Sequence, residues 1–216
     1  MNNKKIRVYL AGDSTVQTYS INCAPQAGWG QFIENYFNDK VEVFNHAIGG
    51  RSSKTSINEG RLKNILDKIE KDDYLIIQMG HNDASIDKPE RYTEPNFEYK
   101  EYLSEYIDGA FKKGAIPILI TPVATLKFDG ENFLNEFPEY CNSMKQLAKD
   151  KGVIIIDLMS ITLEYFKKIG YDETYELFMV SSNGTDYTHF TEKGANTIAK
   201  LVSEEIKKID INFLKI

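Results

Sequence analysis

Short apolar runs rich in β-branched residues recur along the chain at Ile6–Ala11, Val41–Asn45, Tyr74–Met79, Ile116–Thr121 and Val153–Asp157. Their length and bulk suit strands covered on both faces. Longer segments of helical period separate them. Trp29, Phe32, Ile33, Tyr36 and Phe37 recur at helical spacing and predict an amphipathic helix between the first two strands. Ala195, Ile198, Ala199, Val202, Ile206 and Ile209 predict a last helix in the same way. Strands alternating with helices define an α/β protein: a parallel sheet of five strands between two helical layers, for which 2-1-3-4-5 is a common order. Pro117 would remove a ladder hydrogen bond inside a central strand, so it is expected at that strand's first residue.

No stretch rich in Gly, Ser or Pro divides the 216 residues, which predicts one domain spanning 1–216. Irregular stretches cover 83–98, 122–132 and 170–188, and the first two follow strands, where an open parallel sheet builds its ligand crevice. The formal charge of −6 argues against a nucleic-acid or anionic-membrane partner, since both select clustered Lys and Arg. Cys23 and Cys141 form no disulfide framework and no metal pattern, and both are expected as buried thiols. The start, MNNKKIRVYLAGDST, has an apolar stretch too short for a signal peptide, which gives a cytoplasmic expectation.

Four polar clusters fall where the crevice is expected. GDST follows the first strand, NHAIGGRSS the second and GHND the third, while DYTH precedes the last helix. Acyl transfer requires a hydroxyl nucleophile, an imidazole to take its proton, a carboxylate to hold the imidazole, and donors for the oxyanion. Ser14 is the candidate nucleophile, at a strand-to-helix junction where its own N–H can face the developing charge. His189 is the candidate base, with Asp186 three residues earlier. Gly50 offers a backbone N–H and Asn82 an amide; its neighbour Gly49 could supply the same N–H, and Asn82 could equally be a turn residue.

In this order and spacing the clusters resemble the blocks of the SGNH hydrolase superfamily. The stretches GDSTVQTY, GWGQFIENYF, NHAIGGRSSKTSINEGRLKNIL, DYLIIQMGHND and DYTHFTEKGA are similar to its rhamnogalacturonan acetylesterase branch. The resemblance implies a flavodoxin-like fold and no metal or organic cofactor. It implies a triad of Ser14, Asp186 and His189, an oxyanion hole from Ser14, Gly50 and Asn82, and an acetylated oligosaccharide as substrate. Other enzymes of the superfamily, such as xylo-oligosaccharide acetylesterases, thioesterases and lysophospholipases, would share these residues. A non-catalytic binder of small ligands on the same fold would have no need of the Asp-x-x-His pair.

Other residues carry two readings each. Arg51, Lys54 and Arg61 follow the Gly50 cluster and could meet a uronate, or form a solvated helix face paired with Glu59. His46 and His81 lack a carboxylate at useful spacing and read as structural or rim residues. Asp13 reads as an acceptor for loop N–H groups. Tyr171, Tyr175 and Phe178 could offer a sugar platform but suit a loop-anchoring cluster better. The oligomeric state leaves no mark in the sequence.

Overall fold

A computed structural model describes residues 5–210 and Phe213; residues 1–4, part of the segment read for a leader, lie outside it. Five parallel strands form the central sheet: β1 (Ile6–Gly12), β2 (Val41–Asn45), β3 (Tyr74–Gln78), β4 (Ile116–Ile120) and β5 (Ile154–Ile156). Their order is β2-β1-β3-β4-β5, the 2-1-3-4-5 arrangement expected. The register pairs Leu10 with Asn45 and Gly12 with Gln78, so the segments leaving β1, β2 and β3 emerge together at one sheet edge.

Successive strand residues point to opposite faces, and the core divides accordingly. Tyr9, Ala11, Leu75, Ile77 and Leu119 face one side, where they meet α2 (Arg61–Leu66), α3 (Glu98–Lys112) and α4 (Pro138–Lys151). Val8, Leu10, Ile76, Ile118 and Ile120 face the other, against α5 (Leu158–Ile169) and α8 (Glu192–Ile209). Between them, α1 (Ser53–Asn58) follows the β2 loop, and the 170–188 stretch contains α6 (Tyr171–Tyr175) and α7 (Val180–Asn183).

Pro117 is the second residue of β4 rather than the first. The Ile116 N–H donates toward the β3 side, to Asp73 O, so position 117 turns toward β5, where pairing begins only at Ile118. The missing donor falls where the ladder does not need it.

The helix expected over Trp29–Phe37 is two tight 3-10 turns, Trp29–Gln31 and Ile33–Tyr36. Close approach to the segment after Ser14 decides this. A Cβ at Gly30 would stand 2.4 Å from Val16 O, and the Trp29 N–H donates to Thr15 O at 2.8 Å. Tertiary contact thus fixes the start of this segment against the serine turn. The apolar reading of the stripe holds, because Trp29, Ile33 and Phe37 are buried. Of the two thiols expected in the core, Cys141 is buried and Cys23 is exposed on the loop after β1.

Candidate active site

Ser14 stands in a tight turn rather than at the start of a helix. Val16 and Gln17 donate their N–H groups to Asp13 O at 3.1 and 3.0 Å, and no helix of its own carries the residue. The Asp13 carboxylate holds the turn from inside: its Oδ1 accepts from the Thr15 N–H at 2.9 Å and the Thr15 hydroxyl at 2.8 Å. A directed chain supports Thr15. The Trp29 indole, which can only donate, gives its proton to Gln78 Oε1 at 2.9 Å, and this orients Gln78 Nε2 to donate to Thr15 Oγ1 at 2.7 Å. The aromatic stripe and the end of β3 therefore position the serine turn.

His189 arrives from the opposite end of the chain. Phe190 and Thr191 pair with Gln26–Ala27 in a two-strand ladder, and the Met179 N–H donates to His189 O at 2.8 Å, so the backbone of the histidine and of the two residues after it is fixed. Its Nε2 lies 2.9 Å from Ser14 Oγ and its Nδ1 lies 2.7 Å from Asp186 Oδ2. Burial alone would raise the Asp186 carboxyl, but the N–H groups of His189 and Thr188 and the His189 ring outweigh it and hold it below the usual carboxylate range. An ionised Asp186 fixes the proton on Nδ1 and leaves Nε2 as an acceptor for the Ser14 hydroxyl.

Two further groups come from the loops after β2 and β3. Asn82 is buried and donates through Nδ2 to Arg51 O at 3.1 Å, which orients the amide and leaves its second hydrogen to another acceptor. In the glycine pair, the Gly49 N–H is taken by the Gln17 side chain, and a Cβ on Gly49 would lie 3.3 Å from Ser14 Cβ. Gly50 turns with φ +78°, a region that favours glycine.

The basic residues after β2 are committed to their own chain. Arg51 and Arg61 both pair with Glu59, at 3.1 and 2.6 Å, and Lys54 donates to the carbonyls of Pro89 and Tyr92. Arg51 and Arg61 form the paired arrangement, whereas Lys54 has carbonyl partners and no carboxylate within ion-pair distance among the described residues. Arg91 was missed by sequence reasoning. Its Nη1 donates to Gly50 O at 3.3 Å, and no carboxylate among the described residues lies within ion-pair distance of it. Its only sequence signal was membership of the loop after β3.

His81 is structural, one of the two readings expected of it, but it does have a carboxylate within reach. Its carboxylate partner is Asp13, 3.0 Å from Nδ1, a pairing hidden by sequence distance. Asp83, the next acid, is buried and accepts from Ser53 N and Oγ and from Thr93 Oγ1; burial pushes its carboxyl up to about 6 against those donors. It ties the start of α1 to the loop after β3. His46 rests beside Tyr9 with ring centroids 6.0 Å apart, and burial pushes its imidazole down. Tyr171 packs on Phe128 and Tyr175, and Phe178 on Phe166 and Phe190, which makes them loop anchors.

An open trough of about 670 Å³ begins at His189 and runs between Leu126–Phe128 and Thr185–Thr188. Among the described residues no group of three or more His, Cys, Asp or Glu is arranged to hold a metal ion, and no helix is long and apolar enough to cross a membrane.

A parallel sheet whose edge carries a Ser–His–Asp relay is a frame for acyl transfer, and residues 8–202 match the model of the GDSL-like lipase/acylhydrolase family; the chain belongs to that family. Over 94% of both chains it is 55% identical to a Bacillus subtilis protein named probable rhamnogalacturonan acetylesterase YesY. It is 40% identical to rhamnogalacturonan acetylesterase RhgT of the same organism, over 98% of this chain and 94% of that one. The crystal structure of Bacillus subtilis YxiM superposes with a TM-score of 0.86 at 31% identity, over 97% of this chain and 58% of that longer one.

Proposed function

We propose that the chain is a serine esterase that removes O-acetyl groups from carbohydrate, with pectic oligosaccharides of the rhamnogalacturonan type as its substrates, and that residues 1–216 act as one catalytic unit. The observation that carries this reading is the unbroken relay Ser14 Oγ, His189 Nε2 and Nδ1, Asp186 Oδ2, at 2.9 and 2.7 Å. The relatives' names supply the choice of sugar.

In this mechanism Ser14 Oγ attacks the acetyl carbonyl carbon while His189 Nε2 takes the hydroxyl proton. The carbonyl electron pair moves to oxygen, and the oxyanion accepts from the N–H groups of Ser14 and Gly50 and from the free Asn82 amide hydrogen. When the tetrahedral centre collapses, the bond to the sugar oxygen breaks and the His189 proton passes to that oxygen. Water then gives a proton to His189 and attacks the acetyl-serine; acetate leaves and Ser14 regains its proton. Asp186 remains ionised throughout and stabilises the imidazolium. The leaving sugar must lie on the His189 side, where the open trough begins.

Acetate release from acetylated rhamnogalacturonan oligosaccharides, acetylated xylo-oligosaccharides, an acyl thioester and a lysophospholipid tests the proposal. The pectic fragments are expected to give the highest kcat/KM. Preference for the thioester or the lipid would overturn the sugar assignment.

A further inference from the structure

Behind Ser14 lies a second histidine–aspartate pair with no part in the relay. His81 is almost wholly shielded from solvent, its side chain 7% exposed, and its ring edge meets Phe137 at 4.8 Å between centroids. Nδ1 lies 3.0 Å from Asp13 Oδ2 and Nε2 lies 2.9 Å from Val123 O. A carbonyl oxygen can only accept. A carboxylate oxygen can only accept as well, unless it is protonated. Asp13 Oδ1 takes the Thr15 N–H and hydroxyl, and although burial raises its carboxyl, the His81 charge and these bonds outweigh it and favour the ionised form. Beside an ionised Asp13, both ring nitrogens of His81 find acceptors only if the ring is an imidazolium. Its two bonds join the turn that carries Ser14 to the segment that follows β4.

We propose that His81 is a positioning residue, held with both ring nitrogens protonated, that clamps the Ser14 turn, and that loss of its second proton sets the alkaline limit of catalysis. A neutral ring retains one N–H and must release either Asp13 or Val123. It also leaves Asp13 as an uncompensated buried carboxylate one residue from the nucleophile, opposing the negative charge that develops on the acetyl oxygen. Although burial disfavours a charged ring, the Asp13 charge and hydrogen bond, the Val123 carbonyl and Asp83 together raise the His81 imidazole above its ordinary range. The same contacts favour the charged ring over the neutral one.

The other titratable groups around the pair do not reproduce this limit. Asp83 ionises on the acid side, raised to about 6. Tyr19, whose hydroxyl donates to Ser14 O, is pushed up to about 12 by burial, and burial drives the Tyr99 phenol well above its ordinary value.

The proposal rests on the esterase reading for its activity arm, and a spectroscopic arm stands apart from it. In the activity arm, kcat/KM for a small acetyl ester is followed across pH. The wild type is expected to lose activity at both ends. His81→Gln, which cannot titrate, is expected to lose the alkaline limb and keep the acid limb, with plateau activity lowered by up to about a hundredfold from nucleophile misplacement. Asp13→Asn removes the counter-charge and is expected to move the alkaline limb to lower pH. In the second arm, nitrogen-15 histidine spectra of the whole protein near neutral pH are expected to show both His81 nitrogens protonated, whether or not any ester is turned over and whether or not the variants fold. A neutral His81 ring near neutral pH, or an alkaline limb identical in wild type and His81→Gln, would overturn the proposal.

Discussion

Three groups act as one device at the scale of single residues. Removing any one of them stops the relay, so Ser14→Ala and His189→Ala should each abolish most turnover of a small acetyl ester, and the double variant should be hardly worse than either. Near-normal turnover by Ser14→Ala would remove the nucleophile assignment. Asn82 differs, because its amide meets a charge that exists only in the transition state. Asn82→Ala should lower kcat roughly a hundred- to a thousandfold, about 3–4 kcal/mol, with KM little changed. A change confined to KM would make Asn82 a substrate-binding residue. Specificity for a uronate calls for a cation with charge to spare. Glu59 already satisfies Arg51 and Arg61, whereas Arg91 over Gly50 has no acid at ion-pair distance among the described residues. Arg91→Gln should therefore raise KM for galacturonate-bearing acetyl sugars more than Arg51→Gln does, and more than for neutral acetyl sugars, with the gap shrinking in salt. Equal effects on both sugars would detach Arg91 from substrate charge.

The same site is held together by close approach between elements. Gly30 lets the segment after β1 lie on the first 3-10 turn; Gly30→Ala places a Cβ 2.4 Å from Val16 O and 2.6 Å from Asn45 Nδ2. It should lower stability by about 1–3 kcal/mol, read from the urea midpoint, and depress kcat by moving the Ser14 turn. An unchanged midpoint would show that the approach is slack. That contact also marks the limit of what the sequence discloses. Strand positions follow from local apolar runs: β2 matches its expected range, and the other four strands come within a residue of theirs at each end. The first three clusters converge because strand order brings them to one edge, and the fourth is held by the separate ladder of Phe190–Thr191 with Gln26–Ala27. The Trp29 to Phe37 stripe was read as one helix because its period is local, while the glycine contact that breaks it is not. The His81 partner is hidden for the same reason: Asp13 lies 68 positions away, and only the pairing of β1 with β3 brings them together.

Charge couples the site to stability across the whole molecule. The Asp13 carboxyl is held below its ordinary value in the fold, so its contribution is full above that ordinary value and is lost as pH falls through the folded one. The His81 imidazole is raised, so its contribution is full below the ordinary imidazole value and is lost as pH rises through the folded one. The pair should stabilise most between these limits, and Asp13→Asn should flatten the dependence of Tm on pH at both ends. A Tm profile identical to wild type would contradict the buried ion pair. The mechanism uses no metal, so EDTA should leave turnover unchanged; loss restored by a divalent ion would contradict it. The central claim, a covalent acetyl transfer through Ser14, is tested most directly by trapping the intermediate. The enzyme is mixed with acetylated rhamnogalacturonan oligosaccharide, quenched in acid during turnover and digested, and the peptides are weighed. One acetyl group on the peptide carrying Ser14, absent in Ser14→Ala, is the result predicted; steady acetate release with that peptide unmodified at every quench time would contradict the account.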